Sequence, residues 1–226
     1  MSNHTFTRDA PGYAARTARL VPGLQDMYRM AGILLAEQVP ASGRVMVLGA
    51  GGGLELKAFT DMQPDWHFDG IDPSAEMIDQ AHLTLGGQAG RVSFTQGYID
   101  DAPIGPFDGA TCLLTLHFLP REERLRTLQE IARRLRPGAP LIVMHHSAPE
   151  GAERDVWLRR NAALMMSHGI PSEQAQKSIE TFKKRLPILT PREDTTLLEE
   201  AGLTDIQLFY AAFTFKGWIG YRHSSA

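Results

Sequence analysis

Val45-Met46-Val47-Leu48-Gly49-Ala50-Gly51-Gly52-Gly53-Leu54-Glu55 runs from an apolar stretch through four glycines in five positions into a helix-compatible segment. Nineteen positions beyond Gly53, the run Trp66-His67-Phe68-Asp69-Gly70-Ile71 ends at Asp72. This is how an open α/β sheet holds the adenosine half of a cofactor. Glycines let the backbone and a helix N-terminus approach the ligand, and an acid after the second strand accepts hydrogen bonds from ribose hydroxyls. The spacing Gly49-x-Gly51-x-Gly53 is GxGxG, whereas a dinucleotide fingerprint needs a glycine where Leu54 stands. The spacing favours S-adenosylmethionine (SAM) over NAD or FAD.

Outward from this stretch, strands and helices alternate. Apolar runs predict strands at 44–49, 66–71, 91–96, 109–115 and 140–145, with helices at 53–62, 74–85, 121–136 and 190–201. Continuous apolar strands between amphipathic helices imply a parallel sheet covered on both faces. Upstream, Val21-Pro22-Gly23 divides helices near 11–20 and 23–39, after a loosely docked leader over 1–10. Residues 150–186 interrupt the alternation and read as two helices, near 150–168 and 172–186, divided by Gly169-Ile170-Pro171-Ser172. They follow a strand's carboxyl end, where such sheets bind ligands, so they are expected to cap the site. Asp205–Ala211 and Phe213–Tyr221 are joined too tightly for a parallel crossover and predict an antiparallel hairpin. The expected architecture is one Rossmann-like α/β domain over 1–226 with a seven-stranded sheet: five parallel β/α units plus the hairpin. An N-terminal helical lid occupies 1–40 and a helical cap insertion 150–186.

The bulk properties set limits. The chain has 226 residues, 43% of them hydrophobic, enough for one cored domain with a modest addition. A formal charge of −3 gives no electrostatic footprint for nucleic acid. The single cysteine, Cys112, excludes an internal disulfide and fits a reducing cytoplasm. The first residues carry no signal-peptide pattern, and no apolar stretch approaches the roughly 20 residues that span a bilayer. No metal-ligand spacing is present. The expectation is a soluble cytoplasmic protein without nucleic-acid or membrane partners.

Taken in order, the five β/α units, GxGxG, Asp72, the Leu135-Arg136-Pro137-Gly138 turn and the terminal hairpin resemble a class I SAM-dependent methyltransferase over about residues 20–222. Within that class the chain is similar to the carboxy-S-adenosylmethionine synthase branch, which is related to tRNA-wobble uridine modification. The features that carry this are Val21-Pro22-Gly23, Thr115-Leu116-His117-Phe118-Leu119, the insert leading to Ile188-Leu189-Thr190, Ala201-Gly202-Leu203 and Phe213-Thr214-Phe215. That branch recognises an extra carboxylate with an arginine in the insert and an asparagine in strand four. Here Leu113 takes the strand-four position, and no arginine matches around Ser178–Glu180. The resemblance therefore implies ordinary methyl transfer from SAM to a small-molecule acceptor. Carboxy-SAM synthesis from prephenate and a non-catalytic SAM-binding protein are the alternatives. It also implies a homodimer. Two departures stand out: Val47 replaces the acid usual two residues before the first glycine, and Tyr98 replaces an adenine-contacting Asp; either is expected to weaken cofactor binding or to shift its partners to Asp100 or Asp101.

Methyl transfer is an in-line displacement in which a positive charge disappears, so alignment, with deprotonation where the acceptor needs it, supplies much of the rate. Gly49, Ala50, Gly51 and Gly53 are expected against the amino-acid end of SAM, and Asp72 on the ribose, with Pro73 shaping the turn and Met77 against adenine. Ile99 and Tyr98 would wall the adenine, unless Ile99 is strand-end packing. Leu114 and Thr115 would run beside the methionine moiety. Arg19, with Arg16 a weaker substitute, suits the SAM carboxylate through a charge-assisted pair, or is a solvated surface arginine. His117 is the candidate general base, imidazole being the side chain that titrates near neutral pH, or a hydrogen-bonded structural histidine. His145 and His146 point to opposite faces of their strand, so at most one reaches the pocket. Tyr13, His146, Trp157 and Arg160 are the candidate substrate residues, with Met165 and His168 beside them in the insert. Methionine and tryptophan at helical spacing also suit a cap core, and the charges of Arg159-Arg160 an exposed helix face.

Overall fold

The computed structural model describes residues 12–224. The leader at 1–10 lies outside the described residues. Eight helices and seven strands follow one another as α1 (Tyr13–Leu20), α2 (Leu24–Ala36), β1 (Arg44–Leu48), α3 (Leu54–Met62), β2 (His67–Asp72), α4 (Ala75–Leu85), β3 (Val92–Gln96), β4 (Gly109–Leu113), α5 (Arg121–Arg134), β5 (Pro140–His146), α6 (Gly151–Ser167), α7 (Ser172–Arg185), α8 (Pro191–Glu200), β6 (Leu203–Ala212) and β7 (Phe215–Arg222). They build one sheet in the order β3-β2-β1-β4-β5-β7-β6. The first five strands are parallel, while β7 runs antiparallel between β5 and β6.

Local chemistry explains the boundaries. Gly23, in the left-handed region at φ 58°, separates α1 from α2. Ser74 caps α4 by accepting from Met77 N–H at 3.2 Å. Thr190 and Glu193 form a reciprocal capping box on α8, with Pro191 inside the first turn. Strand β4 ends at Leu113, two residues short of the sequence expectation, because Leu114 turns the chain out of the sheet at φ 59°.

Parallel strands bury both sides. One face, with Val45, Val47, Phe68, Leu113 and Met144, packs against α2 and α3. The other, with Met46, Leu48, Cys112, Leu141 and Val143, packs against Leu128 and Ile131 of α5 and Leu197 of α8. Helices α6 and α7 carry a small core of their own, Leu158, Ala162, Met165, Ala175 and Ile179. Among the described residues, no helix is long and apolar enough to cross a membrane.

The order β2-β1-β4-β5 puts the switch point between β1 and β4, and a ligand crevice opens outside the carboxyl ends of strands at such a point. Gly49 leaves β1 there, and Leu114-Thr115 leaves β4.

Candidate active site

The glycine loop is held by the end of β2. Ile71 C=O accepts from both Gly49 N–H (2.8 Å) and Ala50 N–H (3.0 Å). Asp72, buried at 8% exposure, accepts from Gly51 N–H through Oδ2 at 2.8 Å and from Ser74 N–H through Oδ1 at 2.9 Å. Two glycines have no alternative. A Cβ on Gly49 would lie 2.1 Å from Thr115 Oγ1, and one on Gly53 would lie 2.9 Å from Ala81 Cα, both at φ 78°. The first contact keeps β1 and β4 together at the switch point; the second lets α3 pack on α4.

These residues fit SAM. Each carboxylate oxygen of Asp72 accepts one backbone N–H, Oδ2 from Gly51 of the loop and Oδ1 from Ser74 before α4, and keeps another acceptor position for a ribose hydroxyl. The loop leads into the N-terminus of α3, and buried Met77 lies over Gly51, its Cε 3.7 Å from where a Cβ would stand. Leu114, half-buried, holds a left-handed backbone that costs a non-glycine residue on the order of 1–3 kcal/mol, and such conformations cluster at ligand sites. Its N–H donates to Met144 C=O at 2.6 Å, which fixes the bend.

On the other side of the switch point, the turn Leu116–Phe118 brings buried His117 to within 4.8 Å of the His146 ring, edge to face, at the end of β5. Phe215 of β7 and Phe182 of α7 flank His146, with centroids at 3.9 and 4.5 Å. His146 Nδ1 shares a hydrogen bond of 2.9 Å with Thr214 Oγ1, which also accepts from Asn161 Nδ2 of α6. Burial, with the neighbouring His145 charge second, pushes the His146 pKa down to about 3, so this imidazole is neutral at physiological pH. His145 points to the opposite face, as strand alternation requires. Its Nε2 lies 3.1 Å from Asp194, which is also paired with Arg124 at 2.6 Å, and all three are buried.

The remaining sequence candidates distribute as follows. Tyr13, read as a substrate residue, packs on the cofactor loop: its Cδ1 would be 2.8 Å from a Cβ on Gly52, and its hydroxyl 3.4 Å from one on Gly51. Arg19 is exposed and Arg16 half-buried. Tyr98 is 65% exposed, and its N–H donates to Asp101 Oδ2 at 2.9 Å, while Asp100 pairs with Arg126 on the surface. Ile99 is buried with Ala102 and Leu116 in the α5-side core, the strand-end packing alternative. Pro73 is exposed at the turn before α4. Trp157 carries the Arg160 guanidinium 4.3 Å above its ring and faces Phe213 at 6.4 Å, near the hairpin turn. Met165 sits in the α6–α7 core, and the exposed His168 Nδ1 meets Arg19 C=O at 2.8 Å, joining α1 to the loop after α6. Asn161 and Phe182 escape sequence reading, and Thr214 and Phe215 enter it only as part of the resemblance, because each lies on a different element from the histidines and no local spacing links them. Glu55 also escapes it, although an acid in the first turn of a helix otherwise rich in buried residues was a visible signal.

The sheet order, glycine loop, acid after β2 and terminal hairpin define the fold of the class I SAM-dependent methyltransferases. Residues 45–138 match a family model described as a methyltransferase domain. The chain is 23% identical to a carboxy-S-adenosyl-L-methionine synthase of Chromohalobacter salexigens over 90% of its own length and 77% of the relative's. It is 25% identical to the enzyme of that name from Pseudoalteromonas translucida, over 90% and 87%. Human N-acetylserotonin methyltransferase, solved in complex with SAM, superposes with a TM-score of 0.61 at 17% identity, covering 94% of this chain and 59% of that one. The chain thus spans about three fifths of that solved structure.

Proposed function

We propose that this protein is a SAM-dependent methyltransferase acting on a small-molecule acceptor held between the cap and the carboxyl ends of β4 and β5. The observation that carries this is one juxtaposition. The glycine loop touches Thr115, and two positions later in the chain His117 meets His146 beneath α7. Bound SAM supplies an electrophilic methyl group on a sulfonium. The chain's own residues do the rest. Asp72 orients the ribose while holding the loop, and Tyr13 covers it from the lid. Phe182 and Phe215 keep water from the histidine pair. His117 takes the acceptor's proton where one must leave, since His146 is too weak a base near neutral pH. His146 positions the acceptor, its ring fixed by Thr214 and Asn161. Trp157 and Arg160 form the outer rim.

The test is turnover. Purified protein given SAM and pools of small metabolites is assayed for S-adenosylhomocysteine and for methylated product by mass spectrometry. Demethylated cofactor forming only with an acceptor pool supports the proposal; NADH binding in place of SAM would sink it.

Carboxy-SAM synthesis is the second reading, favoured by the names of the curated relatives. Against it, Leu113 is buried in the apolar core beside Met144, and Ser178 turns its hydroxyl back to Ala175 C=O. Neither offers a donor to an extra carboxylate. A carboxylated cofactor carried through purification would reverse the ranking. Binding of SAM without any turnover would favour the non-catalytic alternative, which Val47 and Tyr98 support. Homodimer formation, on the resemblance, and a cytoplasmic location, on the lone cysteine Cys112, complete the proposal, and light scattering on the purified protein checks the first.

A further inference from the structure

Glu55 stands two residues beyond the glycine loop, in the first turn of α3, and is 4% exposed. Its Oε1 accepts from Thr111 Oγ1–H of β4 at 2.7 Å. Thr111 is in register with Val47 of β1, so this carboxyl lies over the two central strands where they flank the switch point. The charged and titratable groups around it are few. Asp72 at the end of β2 adds negative charge, Cys112 of β4 is a buried thiol, Tyr28 of α2, the helix packed on α3, is a buried phenol, and the Lys57–Asp61 pair of the same helix lies toward solvent. No basic side chain among the described residues offsets Glu55. Burial, opposed by the Thr111 hydrogen bond and aided to a smaller extent by the Asp72 charge, pushes its pKa up to about 8. The α3 N-terminus favours the ionised form, so the group is balanced between two states.

We propose that Glu55 is the residue that senses the positive charge of the cofactor: a cation seated on the glycine loop ionises it, and its proton passes to solvent. This rests on the SAM reading above and assigns selectivity for the charged cofactor to a side chain beneath the loop. It also gives Val47 a counterpart: the acid absent from β1 enters the same region from α3.

The experiment is calorimetric titration of the full chain with SAM between pH 6 and 9.5, in buffers of different ionisation enthalpy, for wild type and Glu55→Gln. Glutamine keeps the shape and the bond to Thr111 but cannot ionise. Wild type is expected to release a proton on binding near pH 7, and the variant is not. Their affinities should agree at pH 6 and diverge as pH rises, by about tenfold for each unit that binding lowers the Glu55 pKa. Titration of the cofactor's own amino group is common to both proteins and cancels. S-adenosylhomocysteine, which lacks the sulfonium, should show a smaller divergence. Identical proton release and parallel pH profiles would overturn the proposal and leave Glu55 a neutral structural acid. If neither protein binds SAM at any pH, the SAM reading falls with it. Should Glu55→Gln fail to fold, Thr111→Val serves. Loss of the hydrogen bond should move the proton-release midpoint to higher pH, and an unmoved midpoint counts against Glu55.

Discussion

The carboxyl ends of the sheet divide into two halves built on different principles. Around β1 and β2 the site is backbone: glycine conformations, loop N–H groups on one buried carboxylate, and a helix terminus. Around β4 and β5 it is side chains from five elements, with the His117–His146 pair walled by residues of α6, α7 and β7. Each half holds a titratable group neutral by burial, with opposite sign. Glu55 is an acid pushed up to about 8, and His146 a base pushed down to about 3. A backbone site serves an invariant cofactor, whereas a side-chain site can be recomposed for a new acceptor without disturbing the cofactor.

If the halves are separable, damage should stay local. The largest effect is expected behind the acceptor half. Asp194→Ala strands Arg124, which is fully buried, and removes the partner of His145. Breaking a buried pair this way costs roughly 3–5 kcal/mol, read by urea unfolding, and a loss under about 1 kcal/mol would show that the cluster supports little. Next is His117→Ala. Removal of a general base should cut turnover by about 10²–10⁴-fold with SAM affinity unchanged, and full activity would return His117 to a structural role. Thr214→Val unfastens both His146 and Asn161. It should cost about 1–3 kcal/mol in stability and raise the acceptor KM while leaving SAM binding alone. Weakened SAM binding in this variant would contradict the division.

The smallest effects are in pH dependence. Glu55 has a raised folded-state pKa, so its favourable contribution is complete below about 4.5 and is lost as pH climbs to about 8. Glu55→Gln should therefore gain Tm relative to wild type across that window. For His146 the folded-state pKa is lowered, so its contribution is full above about 6.5 and declines as pH falls toward 3. Its imidazole should remain neutral by NMR at pH 5; a charged ring there would remove the reason for assigning proton transfer to His117.

The same division explains what could be read from the chain. Gly49, Gly51, Gly53 and Asp72 were legible because backbone geometry constrains residue type at fixed spacing, and the alternation of apolar strands with helices carried the sheet. Strand alternation also separated His145 from His146. The β4–β5 half was only half visible: His117 and His146 stood out as chemistry-bearing residues at strand ends, but Thr214 and Asn161 lie 68 and 15 positions from His146 and meet it only through the hairpin and α6. Tyr13 was read as a candidate substrate residue, and its contact with Gly52 depends on how α1 lies across the loop.

The central claim is that the Asp72-braced glycine loop binds SAM, and calorimetric titration of SAM into wild type and Asp72→Ala tests it directly. The account expects saturable one-site binding by wild type, weakened in the variant by about 1–3 kcal/mol, or roughly 5–150-fold, from lost buried polar contacts. No binding by wild type, or equal affinity in both proteins, would contradict it.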